Sequence, residues 1–482
     1  MRIALLSLAL AGTASWACAS TTPSSTATGQ PSPGSTGQTP IRSDTDQPAD
    51  SRVPARHVIV ISIDGLVPQS YTEPDAHGLK VPTLRRLRQT SAYSPGALSV
   101  FPSLTFPAHV TMVTGVTPAA HGIHSNIAWD PIGKNKSGWN WYAESITAPT
   151  VWQAAEEAGL RTALISWPVS VGANVDYLIP TYWRASTAED VKLLRALSTP
   201  GLLDAIDSRF SGFIDRLTPP DVSDDIVMDA AEYLLATDPP NLMFAHLWKT
   251  DSIHHRHGLW SDEAKQSIER ADAQLTRLIA AVEKAGIWPR TLLVIISDHG
   301  FMAMEKRIHL AAVLKEMKLI TPIANAADKH RIKDDWKAVV VPNGGSAYVY
   351  LKDDNDKVTA DAVLERMREL ADYHRNGIAE IFDREQIRKR GGDPRAFLAL
   401  EAKEGFVFGR GHDSELIADT RDRGHHGFDP ARPGMKTALL LHGPGVKPGV
   451  IDDARLIDLA PTIASFLAIP LPGSEGRALP VY

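Results

Sequence analysis

Five short runs, HVIVISIDG (57–65), RTALISW (161–167), NLMFAHL (241–247), TLLVIIS (291–297) and KTALLLH (436–442), are apolar almost throughout. Strands with one wet face alternate apolar and polar residues. Nearly continuous apolar runs of this length mark parallel strands buried on both faces, with helices covering the sheet. The stretches between them read as helices. In the clearest, 261–284, Ala264, Ile268, Ala271, Leu275, Leu278, Ile279 and Val282 share one face, Ser261 stands at the N-cap and Gly286 follows the end. The expected fold is therefore α/β, with a central, mostly parallel sheet and helices on both faces. A chain with 43% hydrophobic residues and a formal net charge of −6 has the material for a packed core, and it has no basic stretch that would hold a nucleic-acid scaffold.

The chemistry sits where the apolar runs stop. The first run ends at Asp64, the fourth leads into Asp298 and His299, and the third leads within a few residues to Asp251. In open parallel sheets, ligands bind beyond the carboxyl ends of the strands. Asp251 and His255 are spaced to lie on one side of a helical turn. RGHHGFDP (423–430) sets His425 and His426 just before the last run. The sole cysteine is Cys18, so no thiolate set is available. Carboxylates with imidazoles suit Zn²⁺ or a similar divalent ion. Asp64, Asp251, His255, Asp298, His299 and one of His425 and His426 are more ligands than one tetrahedral ion uses and about right for two. Two cations a few Å apart stabilise the attacking and leaving oxygens of a phosphoryl transfer.

A nucleophile is available in FPSLTFPAHVTMVTG (101–115). Pro107 fits the first turn of a helix running toward Gly115, which places Thr105 at the helix start, where the dipole favours an anion. The segments VISIDG, FPSLTFPAHVTMVTG, HGIHSN, SWPVS…PTYW, TDSIHHRHG, SDHG and HHGFDP span residues 57–430. Together they resemble the alkaline phosphatase superfamily, and within it the nucleotide pyrophosphatase/phosphodiesterase (type I phosphodiesterase) family. The resemblance implies a metal-dependent phosphoric diester hydrolase acting through a covalent phospho-threonine on Thr105. It implies one zinc on Asp251, His255 and His426, and another on Asp64, Asp298, His299 and Thr105. It makes Asn126, with the Phe106 N–H, a holder of a phosphoryl oxygen. Phe106, Tyr182 and Trp183 become the surface for a nucleotide base. Two positions depart from the pattern: Leu104 stands where nucleotide-cleaving relatives often carry Lys, and His254 where Gly is usual. Phosphomonoesterase and phosphonoacetate-hydrolase activities on the same scaffold are the alternatives, and a non-catalytic exported metal- or phosphate-binding protein is another.

The remaining segments set location and architecture. Residues 1–19 have the layout of a secretory signal, with Cys18 either lipidated or lost on cleavage. Residues 20–55 are a Ser/Thr/Pro/Gly-rich tether. Export follows, to a bacterial periplasm, to an outer-membrane lipid anchor, or beyond the cell. The catalytic core is expected over 56–300 and 424–482, with 301–423 an inserted α+β cap. The cap holds strand-like runs at 337–342 and 346–351 and a helical stretch at 359–373. His257 is read as support for the metal shell, and His109 and His121 as packing or hydrogen-bonding residues.

Overall fold

In β1 (His57–Ile63) every residue is buried, and alternate side chains serve opposite faces of the sheet. Ile59, Ile61 and Ile63 join one apolar core, with Leu84, Leu87, Val227, Leu234, Ile268 and Leu275 from helices Pro82–Thr90, Asp225–Thr237 and Asp262–Lys284. Val58 and Val60 join a second core, with Ala108, Met112, Trp152 and Ile463 from helices Thr105–Thr114, Val151–Glu157 and Leu459–Leu467. Helices on both faces thus account for the unbroken apolar run. The structure is a computed structural model describing residues 56–481, apart from 135–137, 184–186, 219–222, 325 and 327. By contacts the chain divides into Met1–Arg52 and Val53–Tyr482. The described residues all belong to the second unit, and the signal and tether segments expected over 1–55 lie outside them.

After β1 come β2 (Ala92–Ala97), β3 (Thr162–Ile165), β4 (Tyr177–Ile179), β5 (Leu242–Leu247) and β6 (Thr291–Ile296). A long stretch follows with β7 (Met302–Ile308), β8 (Ala338–Asn343), β9 (Ser346–Leu351), β10 (Ile378–Phe382), β11 (Leu398–Ala402), β12 (Gly405–Phe408), β13 (Ile417–Asp419) and β14 (Gly424–His425). β15 (Thr437–His442) and β16 (Gly449–Val450) then return to the first sheet. That sheet has eight strands in the order β16-β2-β15-β6-β1-β5-β3-β4. β1 pairs in parallel with both β5 and β6, so the strand ends carrying the acids are neighbours.

Two features of this sheet differ from the sequence expectation. KTALLLH is a central buried strand, as its composition says, but it runs antiparallel to both β6 and β2. Burial on both faces produces the same apolar run in either direction. β2, AYSPGA, carries a proline and a glycine and gives no strand signal; its place in the sheet comes from pairing with β15 and β16.

The 302–425 stretch forms two further sheets, β10-β11-β9-β8 and β12-β7-β13, with β14 against β7. The two strand-like runs of that stretch make the β8–β9 hairpin, and the helical run is Lys357–Asp372. Their core, with Tyr348, Val349, Met367, Phe382 and Leu400, also takes in Phe101, Phe428 and Met435 from the segments that flank the site. Phe244, fully buried in β5, packs against Trp167 with ring centroids 4.8 Å apart and planes tilted by 57°. Phe244→Ala should lower unfolding stability by about 3–5 kcal/mol, read as a shift in urea midpoint at unchanged slope.

Candidate metal centre and active site

Three adjacent strands deliver three carboxylates. Asp64 directly follows β1, and Gly65, with φ of 67° and its N–H donated to Asp298 Oδ1 at 3.1 Å, turns the chain away. Asp298 and His299 follow β6. Beyond β5, the helix Lys249–His257 carries Asp251 and His255 one turn apart. Its start is held by the buried Asp224 carboxylate, which accepts from the N–H groups of Trp248 (3.0 Å) and Lys249 (3.3 Å). Burial pushes that carboxyl up to about 6, against those two hydrogen bonds.

The side chains converge as the spacing implied. Asp64, Asp298 and His299 present ligand atoms within 4.8 Å of one another, as do Asp251, His299 and His426, and also His255, His425 and His426. His255 Nε2 lies 3.3 Å from Asp251 Oδ1, and His426 Nε2 lies 3.6 Å from the same oxygen. Each imidazole has one nitrogen committed to the backbone. The Nδ1–H groups of His299, His255 and His426 donate to the carbonyls of Gly300, Gly424 and Ser103, all at 3.0 Å. A carbonyl only accepts, so each Nδ1 carries a proton and each Nε2 faces the cluster, where it offers a lone pair to a cation once any proton on it is lost. Asp64 Oδ1, Asp251 Oδ1 and Asp298 Oδ2 are buried with no hydrogen-bond donor. Buried carboxylate oxygens facing imidazole Nε2 atoms are a donor set that fits divalent cations.

The metal-free charges show the same strain. Burial opposes ionisation of Asp64, but the His246 and His299 imidazoles outweigh it and hold the carboxyl well below its usual range. Burial and the Asp64 charge push Asp298 up to about 7. Against its own burial, the Asp298 and Asp64 carboxylates raise His299 to about 10. Burial and the neighbouring His299 drive His426 far down.

Thr105 opens the helix Thr105–Thr114 and is 8% exposed. Its Oγ1 lies 3.3 Å from His299 Nε2. His109 Nδ1–H donates to the Thr105 carbonyl (2.7 Å), and its Nε2 pairs with Ser62 Oγ (2.8 Å). His121 likewise bonds Thr111 Oγ1. The Phe106 N–H is not free for a phosphoryl oxygen, as the sequence suggested; it donates to Asn126 Oδ1 at 2.9 Å. That bond orients the Asn126 amide through its oxygen. His257 Nδ1 stands 3.7 Å from Glu263 Oε1.

The cluster opens into a cleft of about 800 Å³. Asp64, Thr105, Asn126, Asp251, His255 and His426 line it, as do Phe106, Tyr182 and Trp183. Phe106 is almost wholly covered, by Trp139 at 5.1 Å and Trp141 at 6.0 Å. Trp183, 39% exposed, packs edge-on to the same two rings. Sequence reasoning missed Trp139 and Trp141, although the WNWY run (139–142) was visible. It also missed His246, whose Nε2 meets Asp64 Oδ2 at 3.2 Å from inside an apolar strand. Arg256, Arg307 and Arg410 also line the cleft; nothing in their spacing marks them.

The central sheet with this cluster at its carboxyl end defines an alkaline-phosphatase-like protein. The pattern of the type I phosphodiesterase / nucleotide pyrophosphatase family matches residues 58–429, and the chain belongs to that family. Among curated relatives, an uncharacterized pyrophosphatase/phosphodiesterase of Schizosaccharomyces pombe is 29% identical over 250 residues, covering 50% of this chain and 44% of its own. Ectonucleotide pyrophosphatase/phosphodiesterase family member 1 of Homo sapiens is 24% identical, covering 53% of this chain and 25% of its own. The match thus spans less than half the length of both. Human family member 5 is 23% identical over 86% of this chain and 74% of its own. The solved murine member 5 shares the fold, with a TM-score of 0.61 at 21% identity over 88% of this chain and 98% of that one.

Divalent-cation binding should release protons, because His299 keeps its proton to about 10 in the metal-free cluster. Affinity should therefore rise with pH from the mildly acidic range through neutrality and beyond. Calorimetry in buffers of different ionisation enthalpy checks this; uptake without proton release would contradict it.

Proposed function

We propose that this chain is an exported hydrolase that cleaves phosphodiester or pyrophosphate bonds in small phosphorylated substrates, with Thr105 as nucleophile beside two zinc ions. The supporting observation is Thr105 Oγ1 at a helix start, 3.3 Å from His299 Nε2, at the edge of a buried carboxylate–imidazole cluster. Asp251, His255 and His426 would hold one ion, and Asp64, Asp298, His299 and Thr105 the other. When bound, the ions lower the pKa of the alcohol and offset phosphoryl charge.

The chain's own residues supply the rest. The helix Thr105–Thr114 directs its positive end at the transferred group, and His109 fixes the Thr105 backbone through its carbonyl. The Asn126 amide, held by the Phe106 N–H, donates to a phosphoryl oxygen. The Oγ–P bond forms as the bond to the leaving oxygen breaks, and water then cleaves the Oγ–P bond. Murine member 5 has been solved in an inactive threonine-to-alanine form with AMP. The aromatic wall of Trp183, Tyr182 and Phe106 supports a nucleotide here too, with Trp183 offering the exposed ring. Trp167–Ser170 brings no cation to the site, which favours diesters and anhydrides over monoesters. Arg256 and Arg410 on the cleft wall suit further phosphate charge in the substrate. Residues 301–423 act as a cap on this cleft.

Among the described residues no helix is long and apolar enough to cross a membrane. Export rests on the 1–19 leader, and Cys18 is either lipidated or removed with it. Mass spectrometry of the mature N-terminus decides: lipid on Cys18 means an anchor, and a start at Ser20 excludes one.

Thr105→Ala should abolish nearly all turnover of a chromogenic phosphodiester while leaving the fold and metal content intact. Elemental analysis finding fewer than two ions in active protein would remove the two-metal part. Aromatic stacking of a base contributes roughly 1–3 kcal/mol, so Trp183→Ala should weaken nucleotide diesters about tenfold or more and spare small aryl esters. Equal losses on both substrate types would remove the base-stacking role.

A further inference from the structure

The β8–β9 hairpin ends in a two-residue turn, Gly344–Gly345, closed by the Asn343–Ser346 pair. This tip does not point into solvent. The Gly345 N–H donates to the His426 carbonyl at 2.8 Å. Gly344 has φ of 75°, and a Cβ there would stand 2.3 Å from the His426 oxygen and 2.6 Å from the His425 ring. Across the contact, a Cβ on Gly427 would stand 1.7 Å from the Asn343 oxygen. Only glycines allow the two backbones to approach this closely.

The same tip reaches the other side of the cleft. Asn343 is 2% exposed, and its Oδ1 accepts from Ser125 Oγ at 2.9 Å. Its Nδ2 is buried without a partner, so this single bond fixes the amide. Ser125 immediately precedes Asn126. The loop is further tied by Asn140, whose Nδ2 donates to the Ser125 carbonyl (2.7 Å) and whose N–H donates to the Asn126 carbonyl (3.0 Å). A second tie from the same sheet lies one residue earlier. His124 Nδ1 stands 3.5 Å from Asp393 Oδ2, and that fully buried carboxylate is anchored by Tyr350 Oη (2.9 Å) and Arg395.

We infer that Asn343 and Ser125 are positioning residues: the β8–β9 tip clamps the loop carrying Asn126 at a fixed distance from the segment carrying His426. This rests on the reading of Asn126 as the donor to a phosphoryl oxygen. Nothing in the tip needs to touch substrate. Its role is to hold the amide on one side of the cleft in register with a metal ligand on the other, a geometry to which rates are steeply sensitive. The 302–425 stretch is thus part of the catalytic frame and not only a cover.

The test is a double-mutant cycle on the metal-loaded protein with a phosphodiester substrate. Misplacing a catalytic group by about 1 Å costs on the order of 100-fold, so Asn343→Ala and Ser125→Ala should each lower kcat about 10- to 100-fold. KM, metal content and thermal midpoint should hold, and Ser125→Thr should recover most of the loss. In an Asn126→Ala background, Asn343→Ala should add less than about twofold, because coupled residues are not additive. A full additional loss in that background would overturn the clamp. So would single variants that keep kcat, or a Ser125→Ala loss that tracks departure of metal. If Asn343→Ala does not fold, Ser125→Ala and its cycle with Asn126→Ala decide alone. Asn126→Ala with unchanged turnover would fail the underlying reading of Asn126, whereas a slow Asn126→Ala beside normal Ser125 and Asn343 variants fails the clamp only.

Discussion

Three carboxylates that cannot all be ionised together without a cation are the constraint on which the site depends. Asp64, Asp251 and Asp298 stand beyond three neighbouring strands, each with a buried oxygen faced by imidazole nitrogens. Burial limits what water can offset, most of all at Asp298 and His299, which are fully covered. Only imidazolium or metal charge remains, which is why His299 holds its proton so firmly in the metal-free cluster. A divalent ion held there would replace that proton and satisfy several of these oxygens at once. The apolar core places the strand ends, and the strand ends create a charge demand that a divalent cation would meet.

The rest of the frame fixes pieces that are far apart in sequence. Ser103 accepts from His426 through its carbonyl and donates its hydroxyl to the Phe428 carbonyl, joining the Thr105 segment to the 425–429 segment that carries His426. Glu401, buried in β11, accepts from the Asp429 N–H and pairs with Arg432, which ties the end of that segment to the second sheet. The Lys249–His257 helix is held at its start by Asp224. These supports lie outside the carboxylate–imidazole cluster, and they convert a flexible collection of donors into a preorganised one.

Much of this was legible in the chain. The apolar runs located the five core strands because burial on both faces leaves a mark that needs no tertiary knowledge. Asp64, Asp298 and His299 could be found because they interrupt those runs at their ends. Asp251 and His255 showed through helical spacing. Less visible was anything set by pairing alone: the direction of β15, the existence of β2, and His246, which sits in a strand like any core residue. The Phe106 N–H was assigned to substrate because a helix start normally leaves it free; the Asn126 side chain claims it. Trp139 and Trp141 form the inner aromatic layer only because the loop folds back on Phe106. The Asn343 contact joins residues more than two hundred positions apart, and no local pattern encodes it.

The account turns on Thr105 as a covalent nucleophile, and the stereochemical course at phosphorus examines that most directly. A chiral phosphorothioate diester, hydrolysed in isotopically labelled water, reports whether displacement occurs once or twice. Attack by Thr105 followed by attack of water is two in-line inversions, and predicts net retention. Net inversion would mean that water attacks the substrate directly, and the proposed role of Thr105 would be wrong.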